Sequence, residues 1–264
     1  MSIYEFQPLL VFSICVAAAF GAVMGSFLNC MAYRLAHNES FIKGRSRCPK
    51  CGHELGGFEL IPVFSWLFQK GRCRACKEKI SARYPLSELL FALITVLCLL
   101  RFDLSILCLR NYIFLCCLFA LALTDIESMI IPNGFPIVMA AVWFACAPAV
   151  PGNLPDFLWS LLACAVYGGG MLVISLILDR ILGRESLGGG DIKLIGVSAL
   201  YLGLAGTLFM LMAACVFGLI YTLARRKKTK GKPFPFGPFI ALACAVMCLY
   251  GRPLVDWYLG LITF

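Results

Sequence analysis

The chain has 264 residues, of which 61 % are hydrophobic and 14 % are charged. Apolar stretches recur along its whole length, a composition that excludes a typical soluble domain and indicates a protein that crosses a membrane several times. The net charge is +9. Because the positive charge is concentrated in a few polar loops, it predicts membrane topology and contact with anionic lipid, and nucleic-acid binding is the less favoured alternative.

The apolar stretches are the candidate membrane helices. In chain order they cover 8–33, 86–100, 112–124, 134–150, 157–178, 192–224 and 236–263. The first is longer than the core of a signal peptide and has no basic leader, so we interpret it as a membrane span. Several others are shorter than the roughly 20 residues that a perpendicular span needs, so we expect their helices to extend into flanking polar residues or to stop short within the bundle.

The stretch 192–224 is long enough for one overlong helix or for two short helices joined near LGLAG, residues 202–206. A single helix would place the basic sequence RRKKTKGK, residues 225–232, across the membrane from the basic loop 34–85, against the positive-inside rule. Two helices place both on the cytoplasmic side. We therefore predict an all-α polytopic membrane protein with about eight transmembrane helices.

The same rule predicts the orientation of the helices, with both termini outside. All but three of the 23 lysines and arginines then lie inside or at the inner boundary, and the exceptions are Arg101, Arg110 and Arg252. The predicted cytoplasmic segments are 34–85, 126–133, 179–191 and 225–235.

Four of the fifteen cysteines lie in the long polar segment 34–85. They are Cys48, Cys51, Cys73 and Cys76. Their spacing, C-x2-C-x21-C-x2-C, is typical of a tetrahedral zinc site made by four thiolates. Such a closed site stabilises a small fold and leaves no open position for catalysis by the metal. A redox-active pair is the alternative, but the second CxxC disfavours it. The other cysteines lie in apolar segments and are interpreted as packing residues.

Two aspartates lie at predicted inner helix ends. Asp125, in LTDIESMIIPN, closes the third span, and Asp191, in LGGGDIKL, opens the sixth. Acidic residues at membrane depth are costly and are functional candidates. If helix packing brings the two carboxyl groups together, one keeps a proton while the other stays charged, and such a pair can hydrolyse a peptide bond. The alternative is that Asp191 caps a helix and Asp125 lies among the lipid headgroups.

The neighbours of these aspartates also fit a site for an extended peptide. Glycine lacks a side chain where another backbone must approach, and a proline and an asparagine after Asp125 interrupt the chain and allow a loop beside the carboxylate. These candidate substrate-binding residues are Gly188, Gly189, Gly190, Pro132 and Asn133. The acidic side chains of Glu127, Asp179 and Glu185 are interpreted as solvated loop charges.

Several motifs together resemble a known family, the type IV prepilin peptidases, which are GxGD-type membrane aspartic proteases. The resemblance covers nearly the whole chain. In order, the motifs are GSFLNCMAYRL at 25–35, the two CxxC pairs, IPVFSW at 61–66, RYPLSE at 83–88, D-x5-IPN from Asp125, GGGDIK at 188–193 and FPFGPFIALA at 234–243.

The resemblance implies that Asp125 and Asp191 are the catalytic pair of an enzyme in the bacterial cytoplasmic membrane. Its implied substrate is a type IV prepilin or pseudopilin precursor, whose basic leader is removed at the cytoplasmic face after a glycine. Relatives with the four-cysteine segment then methylate the new amino terminus with S-adenosylmethionine. The candidate residues for that second activity are Arg83, Tyr84, Pro85 and Glu88. Lys193 either stabilises a charged Asp191 or marks the inner boundary of its helix.

These expectations divide the chain into three parts: 1–33 is the first transmembrane helix, 34–85 is the cytoplasmic zinc module that belongs to the methyltransferase, and 86–264 is a seven-helix peptidase domain. One alternative is a peptidase without methyltransferase activity, since Leu60 stands where the family usually has an asparagine. Others are a membrane ion transporter with a zinc-sensing insertion, and an assembly factor that binds pilin-like helices without cleaving them.

Overall fold

The structure is a computed structural model that describes residues 7–40, 44–48, 50–150, 154–183, 186–224 and 235–262. Glu185 and the basic sequence 225–232 lie outside the described residues, as does the side chain of Arg252. The described residues form α-helices joined by turns, with no β-strand among them. The chain divides into two compact units, Met1–Tyr112 and Ile113–Phe264.

Two long helices form the frame of the first unit. Helix α1 (Gln7–Ala36) packs along α3 (Arg83–Phe102). Glycine on α1 permits the close approach, since a Cβ atom added at Gly21 would lie 2.8 Å from Ala92 Cα. Small residues of this kind let apolar helices pack tightly within a membrane. The buried side chain of Asn29 donates a hydrogen bond of 2.6 Å to Ser87 Oγ and links the same two helices.

The insertion between α1 and α3 contains the four cysteines. Its regular structure is limited to a 3-10 turn at Gly57–Leu60 and the short helix α2 (Phe64–Phe68). Helix α4 (Ile106–Ser128) begins in this unit after a turn of a few residues.

The second unit contains the end of α4 and five further helices. Helix α8 packs against α5, α6 and α9, so it is central to the unit. A π-helical turn, Ala165–Gly169, joins α6 to α7. The helices are α5 (Gly134–Cys146), α6 (Leu154–Cys164), α7 (Gly170–Leu182), α8 (Gly189–Ala224) and α9 (Gly237–Ile262).

Helix α8 breaks within LGLAG, where the charge argument predicts a break. Gly203 has φ 68° and ψ −174°, a backbone conformation that is essentially limited to glycine. Among the described residues, five helical segments are long and apolar enough to cross a membrane, and two shorter apolar helices accompany them. If α8 is counted as two segments, one before and one after its break, the total is eight, the number of apolar segments that the sequence predicts. The all-α polytopic fold is confirmed.

Several helices extend beyond their apolar cores, as expected for stretches too short to span a bilayer. Helix α3 includes Arg83 and Arg101, and α4 includes Arg110 and Asp125. Charged residues therefore lie at both ends of these helices.

Candidate active site

Asp125 and Asp191 lie at the ends of two helices of the second unit. Asp125 is in the last turn of α4, and Asp191 is the third residue of α8. Both positions agree with the sequence prediction. The Asp125 side chain is buried, and Asp191 is half-buried. Two segments distant in sequence therefore each present one acidic group.

The two carboxyl groups lie close enough for the charge of Asp125 to act on Asp191. Asp125 Oδ2 and Asp191 Oδ1 are both buried, and neither has a hydrogen-bond partner among the described residues. Leaving a buried acceptor without a partner costs free energy. Each aspartate therefore has one buried acceptor oxygen that the described residues leave without a hydrogen bond.

The glycines before Asp191 have different surroundings. A Cβ atom added at Gly190 would lie only 2.7 Å from Ile131 Cβ, so Gly190 makes room for a side chain of the protein itself. One added at Gly188 would lie 3.2 Å from Asp191 Oδ2, and one added at Gly189 would meet nothing within 4 Å. Room for a substrate backbone at Gly188 and Gly189 stays a prediction.

Gly237, at the start of α9, has no predicted role but lies against Asp125. A Cβ atom at this position would lie 2.7 Å from Asp125 Oδ2 and 3.2 Å from Ile131 Cδ1. The backbone amide of Gly237 also acts on the Asp125 carboxyl group. The sequence signal for this residue is a glycine followed by a proline at the start of an apolar helix.

Lys193 contacts a second predicted site residue. Its ammonium group donates a hydrogen bond of 2.8 Å to Asn133 Oδ1, so α8 is linked to the start of α5. The carbonyl of Pro132 accepts a hydrogen bond of 3.3 Å from the Phe135 amide in the first turn of α5. The loop after Asp125 is thereby held at both Pro132 and Asn133.

The first turn of α3 contains the predicted methyltransferase residues. Arg83 and Tyr84 each accept a hydrogen bond of 2.8 Å from Ser87 Oγ through their carbonyl oxygens, and Pro85 is buried. These contacts stabilise the start of the helix. A role in methyl transfer stays a prediction for all three.

Glu88 fastens the insertion to α3. Its Oε2 accepts a hydrogen bond of 2.7 Å from the Val63 amide, and the Ser26 side chain bonds to the same carboxyl group. Val63 has φ 64° and ψ −54°, and the Phe64 amide donates to the Pro62 carbonyl at 2.6 Å. This is a strained γ-turn. The carboxylate therefore has a clear structural role, and a cofactor-binding role for it stays a prediction.

The four cysteines of the insertion form one cluster. The sulfur atoms of Cys48, Cys51, Cys73 and Cys76 all lie within 4.8 Å of one another, and Cys48 Sγ lies 4.0 Å from Cys76 Sγ. Thiolates bound to one tetrahedral zinc ion lie about 3.8 Å apart. The donor set and its spacing therefore fit a tetrahedral metal ion.

The two CxxC pairs have the same backbone geometry. The Gly52 amide donates to the Cys48 carbonyl at 2.9 Å, and the Lys77 amide donates to the Cys73 carbonyl at 3.0 Å. Both donors have positive φ, 74° and 60°. The backbone amides of Cys76 and Ala75 also lower the pKa of Cys73 to about 7. The Glu78 amide lowers the pKa of Cys76, but burial and hydrogen bonds with the neighbouring thiols outweigh this effect and raise that pKa to about 11.

Two family models match this chain. The bacterial peptidase A24 N-terminal domain matches residues 19–102, and the type IV leader peptidase family matches residues 112–223. No solved structure shows a significant match.

Several curated proteins of similar length also match, each under the name prepilin leader peptidase/N-methyltransferase. The protein of Bacillus subtilis strain 168 is 34 % identical over 244 residues, which cover 91 % of this chain and 95 % of the relative. That of Aeromonas salmonicida strain A449 is 31 % identical over 294 residues, covering 97 % and 96 %. That of Dichelobacter nodosus is 31 % identical over 259 residues, covering 88 % and 90 %. The chain belongs to the type IV leader peptidase family.

Proposed function

We propose that this protein is a membrane aspartic endopeptidase that removes the leader of type IV prepilin or pseudopilin precursors. The observation that carries the proposal is the approach of Asp125 and Asp191, each with a buried carboxylate oxygen that has no partner among the described residues. The names of the relatives support the substrate class. An ion transporter is disfavoured, because its acids are expected in mid-span, whereas these lie at helix ends.

The reaction that this pair supports is direct hydrolysis. Two neighbouring carboxyl groups share one proton. The ionised group takes a proton from a water molecule, whose oxygen attacks the scissile carbonyl carbon. The protonated group then donates its proton to the amide nitrogen as the carbon–nitrogen bond breaks. The products are a leader with a free carboxylate and a pilin with a new amino terminus, and no covalent intermediate forms.

Substitution of either aspartate tests this mechanism. We expect Asp125→Asn and Asp191→Asn each to reduce cleavage of a purified precursor by at least about 100-fold, since each variant lacks one half of the acid–base pair. Glu127→Gln is the matched control, because Glu127 lies in the same turn of α4 but is exposed. Mass spectrometry of the precursor measures the loss of the leader. Undiminished cleavage by both aspartate variants would overturn the dyad.

We also propose an orientation of the protein in the membrane. The enzyme lies in the bacterial cytoplasmic membrane with the four-cysteine insertion and the aspartates at the cytoplasmic face, and with both termini outside. The positive-inside rule supports this orientation. A basic leader fits a cytoplasmic cleavage site, because a positively charged segment stays on the cytoplasmic side of the membrane. The proposed cut follows a glycine of the substrate.

We also propose methylation of the new amino terminus, with zinc as a structural ion. Cys48, Cys51, Cys73 and Cys76 would hold the zinc ion, which closes the insertion into a folded unit. S-adenosylmethionine supplies the methyl group when it is bound. The names of the relatives support this activity. A cleaved substrate incubated with S-adenosylmethionine should gain the mass of one methylene group, and an unchanged mass would favour the peptidase-only alternative.

A further inference from the structure

The insertion contains a cleft that the peptidase mechanism does not use. Its volume is about 600 Å³, within the range of sites for small molecules and cofactors. Phe58 and Phe68 line it and are 88 % and 84 % exposed. Exposed aromatic side chains of this size are unusual in a polar segment. Basic residues line the same cleft, among them Arg72, Arg74 and Lys77.

Glu59 also lines this cleft, and one of its carboxylate oxygens accepts no hydrogen bond from the described residues. Its side chain is only 8 % exposed. Oε2 accepts a hydrogen bond of 2.9 Å from the Gly56 amide and lies 3.2 Å from His53 Nε2. Oε1 is buried and has no hydrogen-bond partner among the described residues.

The carboxylate of Glu59 is held in its charged form. The Gly56 amide lowers its pKa, against an opposing effect of burial, and His53 and Arg74 lower it further. A buried, charged oxygen without a partner is costly unless a positively charged group meets it. The cleft therefore combines a carboxylate with one oxygen that has no hydrogen-bond partner among the described residues, aromatic side chains and a basic rim.

We propose that this cleft binds S-adenosylmethionine, with the negative charge of the Glu59 carboxylate beside the sulfonium group. The inference rests on the proposed methyltransferase activity and assigns it a site. A nearby carboxylate stabilises a sulfonium cation, and an exposed aromatic side chain such as Phe68 offers a face on which an adenine ring can stack. The carboxylate of the ligand's methionine part pairs with the basic rim at Arg72 or Arg74.

Binding to two related ligands tests the charge contact. S-adenosylhomocysteine has a neutral sulfur but otherwise the same groups, so the anion of Glu59 should favour S-adenosylmethionine. We expect the wild-type protein, purified in detergent with its metal bound, to bind S-adenosylmethionine more tightly. In Glu59→Gln we expect the Kd for S-adenosylmethionine to rise at least about tenfold, while the Kd for S-adenosylhomocysteine changes by less than about threefold. Isothermal titration calorimetry measures both.

A second pair of variants tests the aromatic wall without touching Glu59. Phe68 lines the cleft, whereas its neighbour Leu67 is 57 % exposed and does not. We expect Phe68→Ala to weaken both ligands about tenfold, because stacking does not depend on the sulfur charge. Leu67→Ala should bind both ligands like the wild type. If Glu59→Gln loses its metal, this pair decides the proposal.

The outcomes distinguish failure of the proposed binding site from failure of the proposed methyltransferase activity. Unchanged binding of S-adenosylmethionine by Glu59→Gln or by Phe68→Ala overturns the site. Equal weakening of both ligands by Glu59→Gln, with metal content intact, also overturns it, because Glu59 would then act only on the shape of the loop. If the wild-type protein cleaves precursors but neither binds nor uses S-adenosylmethionine, the methyltransferase activity itself fails.

Discussion

Gly237 lies against Asp125, one of the two proposed catalytic residues. A methyl group there would lie 2.7 Å from Asp125 Oδ2, so the carboxyl group would have to move. We expect Gly237→Ala to reduce cleavage more than tenfold, because small displacements of reacting groups cost large factors in rate. Gly134→Ala is the matched control, since a Cβ there meets nothing within 4 Å. Cleavage by Gly237→Ala at the wild-type rate would contradict this account.

Single residues differ in how far the sequence predicts their roles. Asp125 and Asp191 can be proposed as functional residues from the sequence alone, because charge at membrane depth is costly and therefore conspicuous. Gly237 cannot, since its importance depends on where α9 packs. The bond from the Val63 amide to Glu88 is equally hidden, because a γ-turn between short elements leaves no periodic pattern.

The break in α8 depends on one glycine. Gly203 has a backbone conformation that a residue with a side chain rarely adopts. We expect Gly203→Ala to lower the free energy of unfolding by about 1–3 kcal/mol. Gly170→Ala should be neutral or slightly stabilising, because Gly170 is helical and a Cβ there meets nothing within 4 Å. Thermal unfolding in detergent compares the two, and equal melting temperatures would argue against the strain.

The cysteine cluster should be necessary for the insertion to stay folded. We expect Cys76→Ser to lose most of the bound zinc and to make the segment sensitive to trypsin, because its lysines and arginines are numerous and its core is small. Cys15→Ser is the control, since Cys15 lies exposed on α1. Metal analysis and limited proteolysis measure both effects. A chelator should reproduce the result with the wild-type protein, and stable zinc content in Cys76→Ser would refute the four-thiolate site.

The sequence predicts that each helix exists more accurately than it predicts the residues at which the helix begins and ends. The break near LGLAG follows from charge placement, because basic residues keep both flanking loops on one side. Helix α4 instead begins at Ile106, six residues before its predicted apolar start at 112. Residues 106–111 are ILCLRN, so Arg110 and Asn111 interrupt the apolar run, while backbone hydrogen bonding continues the helix through them.

At the scale of the whole molecule, the proposed orientation in the membrane can be tested by labelling single cysteines. Ala149 lies after α5 and Ser186 lies after α7, and both are exposed. We expect the cysteine of Ser186→Cys to react with a membrane-impermeant maleimide only after spheroplasts are permeabilised, and that of Ala149→Cys to react before. The unsubstituted protein gives the background from its own cysteines. The opposite pattern would reverse the proposed orientation and place the aspartates outside.

The contact between Gly237 and Asp125 can form only after α9, the last described helix, has been synthesised. Helix α9 follows α4 and α8 in the chain, so a ribosome adds it after both aspartates have been synthesised. A domain generally folds as a unit during synthesis, so its native contacts form only once all of its helices are present. Until α9 arrives, the carboxyl group of Asp125 lacks one wall of its surroundings. We therefore expect that only chains whose synthesis has included α9 cleave precursors.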